Sequence, residues 1–209
     1  MDAAELIERA ARFDEAFAGA DDRPPSWREG VPAVSLELLG RLGVRATGTV
    51  ADVGGGDSTL ADELLARGFD DVIVVDLSDA ALARVASRLG VDERVTLVRA
   101  DAAHWRAPRP LAAWHDRACL HFLTAKDDRR AYLEAMAASL SPGGGVVLGC
   151  FAPQGPASCS GLAVRRASCQ DLAEELGERF EVLEARTQTH VTPWGAEQPF
   201  SWVAARLAH

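Results

Sequence analysis

The stretch that most constrains this chain runs Thr47-Gly-Thr-Val-Ala-Asp-Val-Gly-Gly-Gly-Asp-Ser58. Val50 and Val53 lie in a short apolar run that predicts a buried strand, and three glycines end it. Ser58 then opens a helical pattern with Leu60, Leu64 and Leu65 on one face. Glycine permits unusual dihedrals and lets a ligand approach bare backbone, and the helix N-terminus adds unpaired amides. A second apolar run, Val72 to Asp76, ends in a carboxylate 20 residues beyond Gly56. That spacing suits an acid that accepts from ribose hydroxyls in a nucleotide-binding βαβ unit. A tight turn with no ligand is the alternative, and Asp76 argues against it.

Strand and helix patterns alternate along the rest of the chain. Residues 3–18 place Leu6, Ala10, Phe13 and Phe17 on one helical face, and Pro24 and Pro25 break the pattern. Trp27, in the polar loop that follows, either anchors a lid over the ligand or packs on the core. Further helices are expected from Pro32 to Val44, from Ser58 to Gly68, and from a Ser78 cap to Gly90. Strands are expected at Val95 to Arg99, Leu111 to Asp116 and Val146 to Phe151. The helix between the last two starts in a capping box of Thr124 and Asp127 and runs through Leu140. Ala152 to Gly161 reads as a long Pro/Gly/Ser loop, a type of segment that often carries function. Ser168 with Asp171 caps a helix ending at Gly177, and Phe180 to Thr189 and Phe200 to Leu207 form a closing strand pair.

This pattern predicts an α/β, doubly wound, mostly parallel sheet with helices on both faces. Ligands of such sheets lie beyond the carboxyl ends of the strands. Gly54, Gly55, Gly56, Asp76, Asp101, Asp116 and the segment after Phe151 are therefore expected at one rim.

Composition narrows the function classes. The 209 residues carry a net charge of −9, which disfavours a phosphate-backbone partner. No apolar run approaches the roughly 20 residues of a membrane span. The start, Met1-Asp-Ala-Ala-Glu-Leu-Ile-Glu, is acidic and amphipathic, so no signal peptide and a cytoplasmic location are expected. Cys119, Cys150, Cys159 and Cys169 form no CxxC or CxxH arrangement, so no metal is expected and the thiols are expected to be reduced.

Asp52-Val-Gly-Gly-Gly-Asp-Ser58, Asp76, Asp101 and Leu-Ser-Pro-Gly-Gly144, in that order, resemble the motifs of class I S-adenosylmethionine-dependent methyltransferases. Trp114 to Thr124 is similar to a bacterial subgroup of that family without an assigned substrate. The resemblance implies a Rossmann-like methyltransferase fold with a seven-stranded sheet and an antiparallel C-terminal strand. It divides the chain into residues 1–32, an N-terminal helix and lid-like segment, and residues 33–209, the cofactor-binding domain. Ser58 departs from the family pattern, standing where its turn has the last glycine. The main competitor is a nicotinamide dehydrogenase. Its turn wants a glycine at the position of Thr59, and its pyrophosphate would be repelled by Asp52 and Asp57. Those acids attract the ammonium and sulfonium of S-adenosylmethionine.

By the resemblance, Asp52 neighbours the methionine ammonium, and Gly54, Gly55 and Gly56 line the amino-acid end. Asp76, followed by Leu77, accepts from the ribose hydroxyls. Asp101 accepts from the adenine amino group, with the Ala102 backbone beside the ring, and Asp116 completes the cofactor set. Asp101 alternatively caps the residues that follow it, and Asp76 the next helix.

Methyl acceptors are positioned by residues after the fourth and fifth strands. Arg117 either holds an anionic substrate or pairs with Asp116. His121 is a candidate base near neutral pH or a core histidine. Cys159 sits among small residues in the long loop, and His190 precedes the turn of the closing pair. Trp194 and Phe200 either wall an apolar acceptor pocket or pack on the core. The expected function is methyl transfer to a small-molecule acceptor, including a soft one such as a thiol, with S-adenosylhomocysteine as product. A protein (lysine) methyltransferase and a non-catalytic sensing or partner-binding module are the alternatives. Monomer and homodimer are both open.

Overall fold

The computed structural model describes residues 3–18 and 24–208. Helices α1 (Ala3–Ala18) and α2 (Ala33–Arg41) precede β1 (Val50–Val53), α3 (Leu60–Ala66) and β2 (Val72–Asp76). Next come α4 (Asp79–Leu89), β3 (Val95–Arg99), β4 (Leu111–Arg117), α5 (Lys126–Ser139) and β5 (Leu140–Phe151). A two-residue ladder, β6 (Ser158–Cys159) with β7 (Leu162–Ala163), leads to α6 (Cys169–Leu176), β8 (Phe180–Val191) and β9 (Glu197–Leu207).

Seven strands form one sheet in the order β3-β2-β1-β4-β5-β9-β8. The first five are parallel neighbours, and β9 runs antiparallel to both β5 and β8. Every residue of β1 and β2 is buried, which is why both read as near-continuous apolar runs rather than alternating ones. Leu38 and Leu39 of α2, Leu60 and Leu64 of α3, and Leu82 of α4 cover one face of the sheet. Tyr132 and Met136 of α5, with Leu172 and Leu176 of α6, cover the other. The architecture is the doubly wound, mostly parallel sheet expected from the alternation, in the seven-stranded Rossmann-like form with an antiparallel C-terminal strand that the resemblance implies.

Boundaries differ where a cap or a pairing decides them. Helix α2 stops at Arg41, ahead of Gly43 at φ +64°. Helix α5 has Ala125, not Thr124, as its N-cap, with no side-chain bond, so the expected Thr124 capping box does not form. The Ser168 and Asp171 box does form. Strand β5 starts at Leu140, because Leu140 already pairs with Leu111 across an irregularity in β4. The closing strands extend to Val191 and back to Glu197, joined by a turn in which the Thr192 amide bonds the Ala196 carbonyl. The expected long loop after Phe151 carries the β6–β7 ladder, turned by Ser160 at φ +50° and Gly161 at φ +74°. Among the described residues no helix is long and apolar enough to cross a membrane.

Candidate functional site

The carboxyl ends of β1, β2 and β4 open into one cavity. At its floor, the amides of Gly54 and Gly55 both donate to the Val75 carbonyl, at 2.7 and 3.2 Å, which ties the turn to β2. Gly54 and Gly56 hold φ of +67° and +56°, left-handed values that side chains rarely adopt. A Cβ on Gly55 would lie 2.9 Å from Asp52 Oδ2, so the turn closes over that carboxylate only as glycine.

Asp76 ends β2 nearly closed to solvent. Its Oδ2 accepts from Gly56 N and its Oδ1 from Ser78 N, each at 2.8 Å. Burial outweighs those amides and pushes its carboxyl up to about 6. Asp52 is buried in β1, with Nδ1 of His115 at 2.8 Å from its Oδ1. Nε2 of His115 shares a second bond with Ser35 Oγ at 2.8 Å, so α2 fixes the ring that fixes the carboxylate. Asp101 lines the cavity and also caps, taking the Ala103 amide at 3.1 Å and Nδ1 of His104 at 2.6 Å. Leu77 and Ala102 border the same space.

The roof comes from the N-terminal part of the chain. Phe13 packs edge-on against Phe122, and Phe17 against Trp27. Asp14 fastens α1 to the start of α4 by accepting from Ser78 Oγ at 2.6 Å and Ala80 N at 3.0 Å. Residues 24–30 cross the cavity as a strap. Arg28 and the Trp27 indole reach Asp57 at 2.6 and 3.4 Å, and Thr59 Oγ1 donates to the Gly30 carbonyl. From the sheet, Arg117 donates to the Trp27 carbonyl at 2.9 Å and approaches Glu29 at 3.4 Å.

Several expected site residues lie elsewhere. Asp116 is fully buried and does not border the cavity. It accepts from the amides of Cys119 and Leu120 and from the Tyr132 hydroxyl, so it organises the turn after β4 rather than the cofactor. Strand parity explains this: Trp114 and Asp116 face α5, while His115 and Arg117 face the cavity. His121 is fully buried outside the cavity lining, and burial pushes its imidazole down to about 3, so it is no base at neutral pH. His190 also lies outside the lining, with Nε2 bonded to the Ser26 carbonyl at 2.7 Å, so it holds the strap. Asp57 spends its charge on Arg28 and Arg84. Arg117 pairs with Glu29 and not with Asp116. Cys159 does border the cavity, and burial pushes its thiol up. Trp194 is half exposed, whereas Phe200 is buried under the Arg117 guanidinium, 5.3 Å from ring centre to Cζ. The cavity roles of Phe13 and Phe17 were not legible, because an apolar helical face looks the same over a core and over a cavity, and Glu29 and Cys119 lie in irregular segments that only the fold brings to the cavity. Among the described residues, no three His, Cys, Asp or Glu side chains are grouped to hold a metal ion.

Residues 50–144, from β1 to the glycines of β5, match the sequence model of a methyltransferase domain. That segment is a methyltransferase domain, and it supports an S-adenosylmethionine-dependent methyltransferase. No curated protein matches this methyltransferase in sequence. Among solved structures it is similar to 1,6-didemethyltoxoflavin-N1-methyltransferase of Burkholderia thailandensis, bound to 1,6-didemethyltoxoflavin and S-adenosylhomocysteine. Identity there is 24%, the TM-score 0.76, and the match covers 100% of this chain and 92% of that one. The N-methyltransferase NodS of Bradyrhizobium japonicum WM9, in complex with S-adenosylhomocysteine, is 16% identical at a TM-score of 0.74, over 95% and 100% of the two chains. A protein from the conversion of a disulfide bond into a thioacetal group during echinomycin biosynthesis is 21% identical at 0.73, over 95% and 93%. These likenesses establish the fold of the methyltransferase.

Proposed function

We propose that this methyltransferase acts on a small-molecule acceptor, with the donor held on the glycine turn and the acceptor enclosed beneath the strap. The observation that carries the reading is the roof. Helix α1 and residues 24–30 lie over the rim and are clasped by Asp57, Arg117 and His190. An acceptor has to fit under that cover, which a folded protein surface does not. A lysine ammonium would also meet the buried Arg117 cation in the cavity wall. The similar Burkholderia enzyme holds a small molecule, 1,6-didemethyltoxoflavin.

The residues present fit S-adenosylmethionine. When bound, that donor supplies a methyl group activated by a sulfonium. Asp52, oriented by His115, offers a carboxylate to the ammonium, now that Asp57 is matched by arginines. Gly55 leaves the backbone open beside it. Each oxygen of Asp76 accepts one amide and retains capacity for a ribose hydroxyl. Asp101 keeps lone pairs free for the adenine amino group. Within residues 1–32, the described residues 3–18 and 24–32 serve as the lid. Sulfur acceptors are a second reading, favoured by Cys159 in the cavity wall and by the disulfide chemistry of the similar echinomycin protein.

Calorimetric titration with S-adenosylhomocysteine tests the donor site. Ribose hydroxyls favour the ionised form of Asp76, so binding lowers a carboxyl that starts at about 6 and releases a proton. Affinity is therefore expected to rise between pH 5 and pH 7.5, and Asp76→Asn should weaken binding about tenfold, as loss of a charged acceptor implies. Labelled methyl donor with a small-molecule panel and with cell lysate tests the acceptor. Label found only on protein would sink the small-molecule reading, and absent binding would sink the donor site.

A further inference from the structure

We propose that the acceptor of this methyltransferase carries a carboxylate, and that Arg117 binds it through a guanidinium nitrogen left without a protein partner. The inference rests on the small-molecule reading above and names its substrate class.

Among the described residues, the buried side-chain nitrogens without a hydrogen-bond partner are Nη2 of Arg117, both nitrogens of His121 and Nε of Arg186. Of these three residues only Arg117 borders the cavity. Its other nitrogens are engaged: Nη1 donates to the Trp27 carbonyl at 2.9 Å and Nε lies 3.4 Å from Glu29. The guanidinium plane is held over the Phe200 ring. A buried N–H with no acceptor is costly, and a charged one more so. Held in place with one nitrogen unspent, the guanidinium suits a carboxylate that takes a charge-assisted hydrogen bond from Nη2.

Electrostatics restrict where such an anion can sit. The chain carries a net charge of −9, so an anion is repelled at long range and needs a local cation to bind. Arg9 of α1 borders the same cavity and adds to that cation. Glu29 balances Arg117 from the strap at 3.4 Å. An incoming carboxylate competes with Glu29 for the guanidinium, which couples acceptor entry to the strap. The carboxylate of the donor's own methionine is the rival occupant, so the test has to separate the two.

The experiment uses the full chain saturated with S-adenosylhomocysteine. Carboxylate and carboxamide partners of equal shape are titrated: benzoate and benzamide, anthranilate and anthranilamide, thiosalicylate and thiosalicylamide. At least one carboxylate is expected to bind about tenfold more tightly than its amide. Arg117→Gln should abolish the preference, with S-adenosylhomocysteine affinity falling no further than in His190→Gln, which loosens the same strap from outside the cavity lining, and Arg117→Lys should restore part of it. Glu29→Gln, which removes the competing anion, should strengthen carboxylate binding several-fold, and it reads the same contact should Arg117→Gln fold poorly. Equal binding of acids and amides across the panel, including no binding of either, overturns the proposal. So does a loss of S-adenosylhomocysteine affinity in Arg117→Gln tenfold greater than that in His190→Gln, which would assign the arginine to the donor. Failure of the wild-type protein to bind S-adenosylhomocysteine is a separate result, and it removes the underlying reading as well.

Discussion

His121 lies between the rings of Phe122 and Phe151, at 4.5 and 4.8 Å, and neither of its nitrogens has a partner. Burial, reinforced by the Arg129 and Arg117 charges, pushes its imidazole down to about 3, against an ordinary value of 6.5. In the unfolded chain it takes up a proton below about pH 6.5, and in the folded protein it does not until far lower. Its contribution to stability is therefore present above pH 6.5 and is lost as pH falls towards 3. His121→Leu removes both the unpartnered nitrogens and that linkage. It is expected to stabilise the protein by about 1–3 kcal/mol at pH 8. The gain should grow by up to about 1.4 kcal/mol per pH unit below 6.5. Urea midpoints at pH 8, 6.5 and 5 measure it, and a gain that shrinks in acid contradicts an imidazole held neutral. At this scale the sequence was readable where a residue type had one task. Asp76 ends a strand beside three glycines, and Asp52 lies two residues ahead of them in β1. Asp116 looked equivalent, yet one step of strand alternation sends it to Tyr132 instead of the cavity.

Secondary elements carry the cover. The strap of residues 24–30 lies outside any helix or strand and is held by polar clasps, of which Asp57 is the most connected. That carboxylate is buried and takes Arg28 at 2.6 Å, Arg84 at 3.3 Å and the Trp27 indole at 3.4 Å. Asp57→Asn removes the negative charge that Arg28 and Arg84 share. Arg28 is nearly half exposed and recovers part of the loss from water. The expected cost to global stability is about 1–2 kcal/mol. Local opening should change more: amide exchange at residues 24–30 is expected to rise about tenfold while β1 and β2 stay protected. Release of S-adenosylhomocysteine should quicken in parallel. Exchange measured by mass spectrometry on the peptide spanning the strap checks this, and unchanged protection would mean that Arg117 and His190 suffice as clasps. The helix itself was legible from the spacing of Phe13 and Phe17, and Ser168 with Asp171 announced α6. The strap was not, because its clasp partners lie about 30 to 160 residues away in sequence and only the fold brings them together.

Over the whole molecule, local alternation specified the parallel strands and their helices, but it could not specify that β9 inserts between β5 and the edge strand β8. Packing specifies it. Gly149 of β5 pairs with Trp202 of β9, and a Cβ on Gly149 would lie 2.7 to 2.9 Å from three carbons of the indole ring. The backbone of Gly149 is not left-handed, so the glycine is needed for space rather than conformation. Trp202 is in turn buried against Phe200, the ring beneath Arg117, so this contact joins the antiparallel end of the sheet to the cavity wall. Gly149→Ala is expected to cost about 1–3 kcal/mol through overpacking, a fall of about 2–10 °C in Tm for a chain of this size. The account makes a sharper demand on the double variant. Trp202→Phe alone leaves a void and destabilises, but it also removes ring atoms that a Cβ on Gly149 meets. Gly149→Ala with Trp202→Phe should therefore cost less than the two single losses added together, with a coupling of about 1 kcal/mol or more. Thermal unfolding of the four proteins measures that coupling. Strict additivity would mean that β5 yields to the added methyl without the indole, and that some contact other than this pair holds β9 in its place.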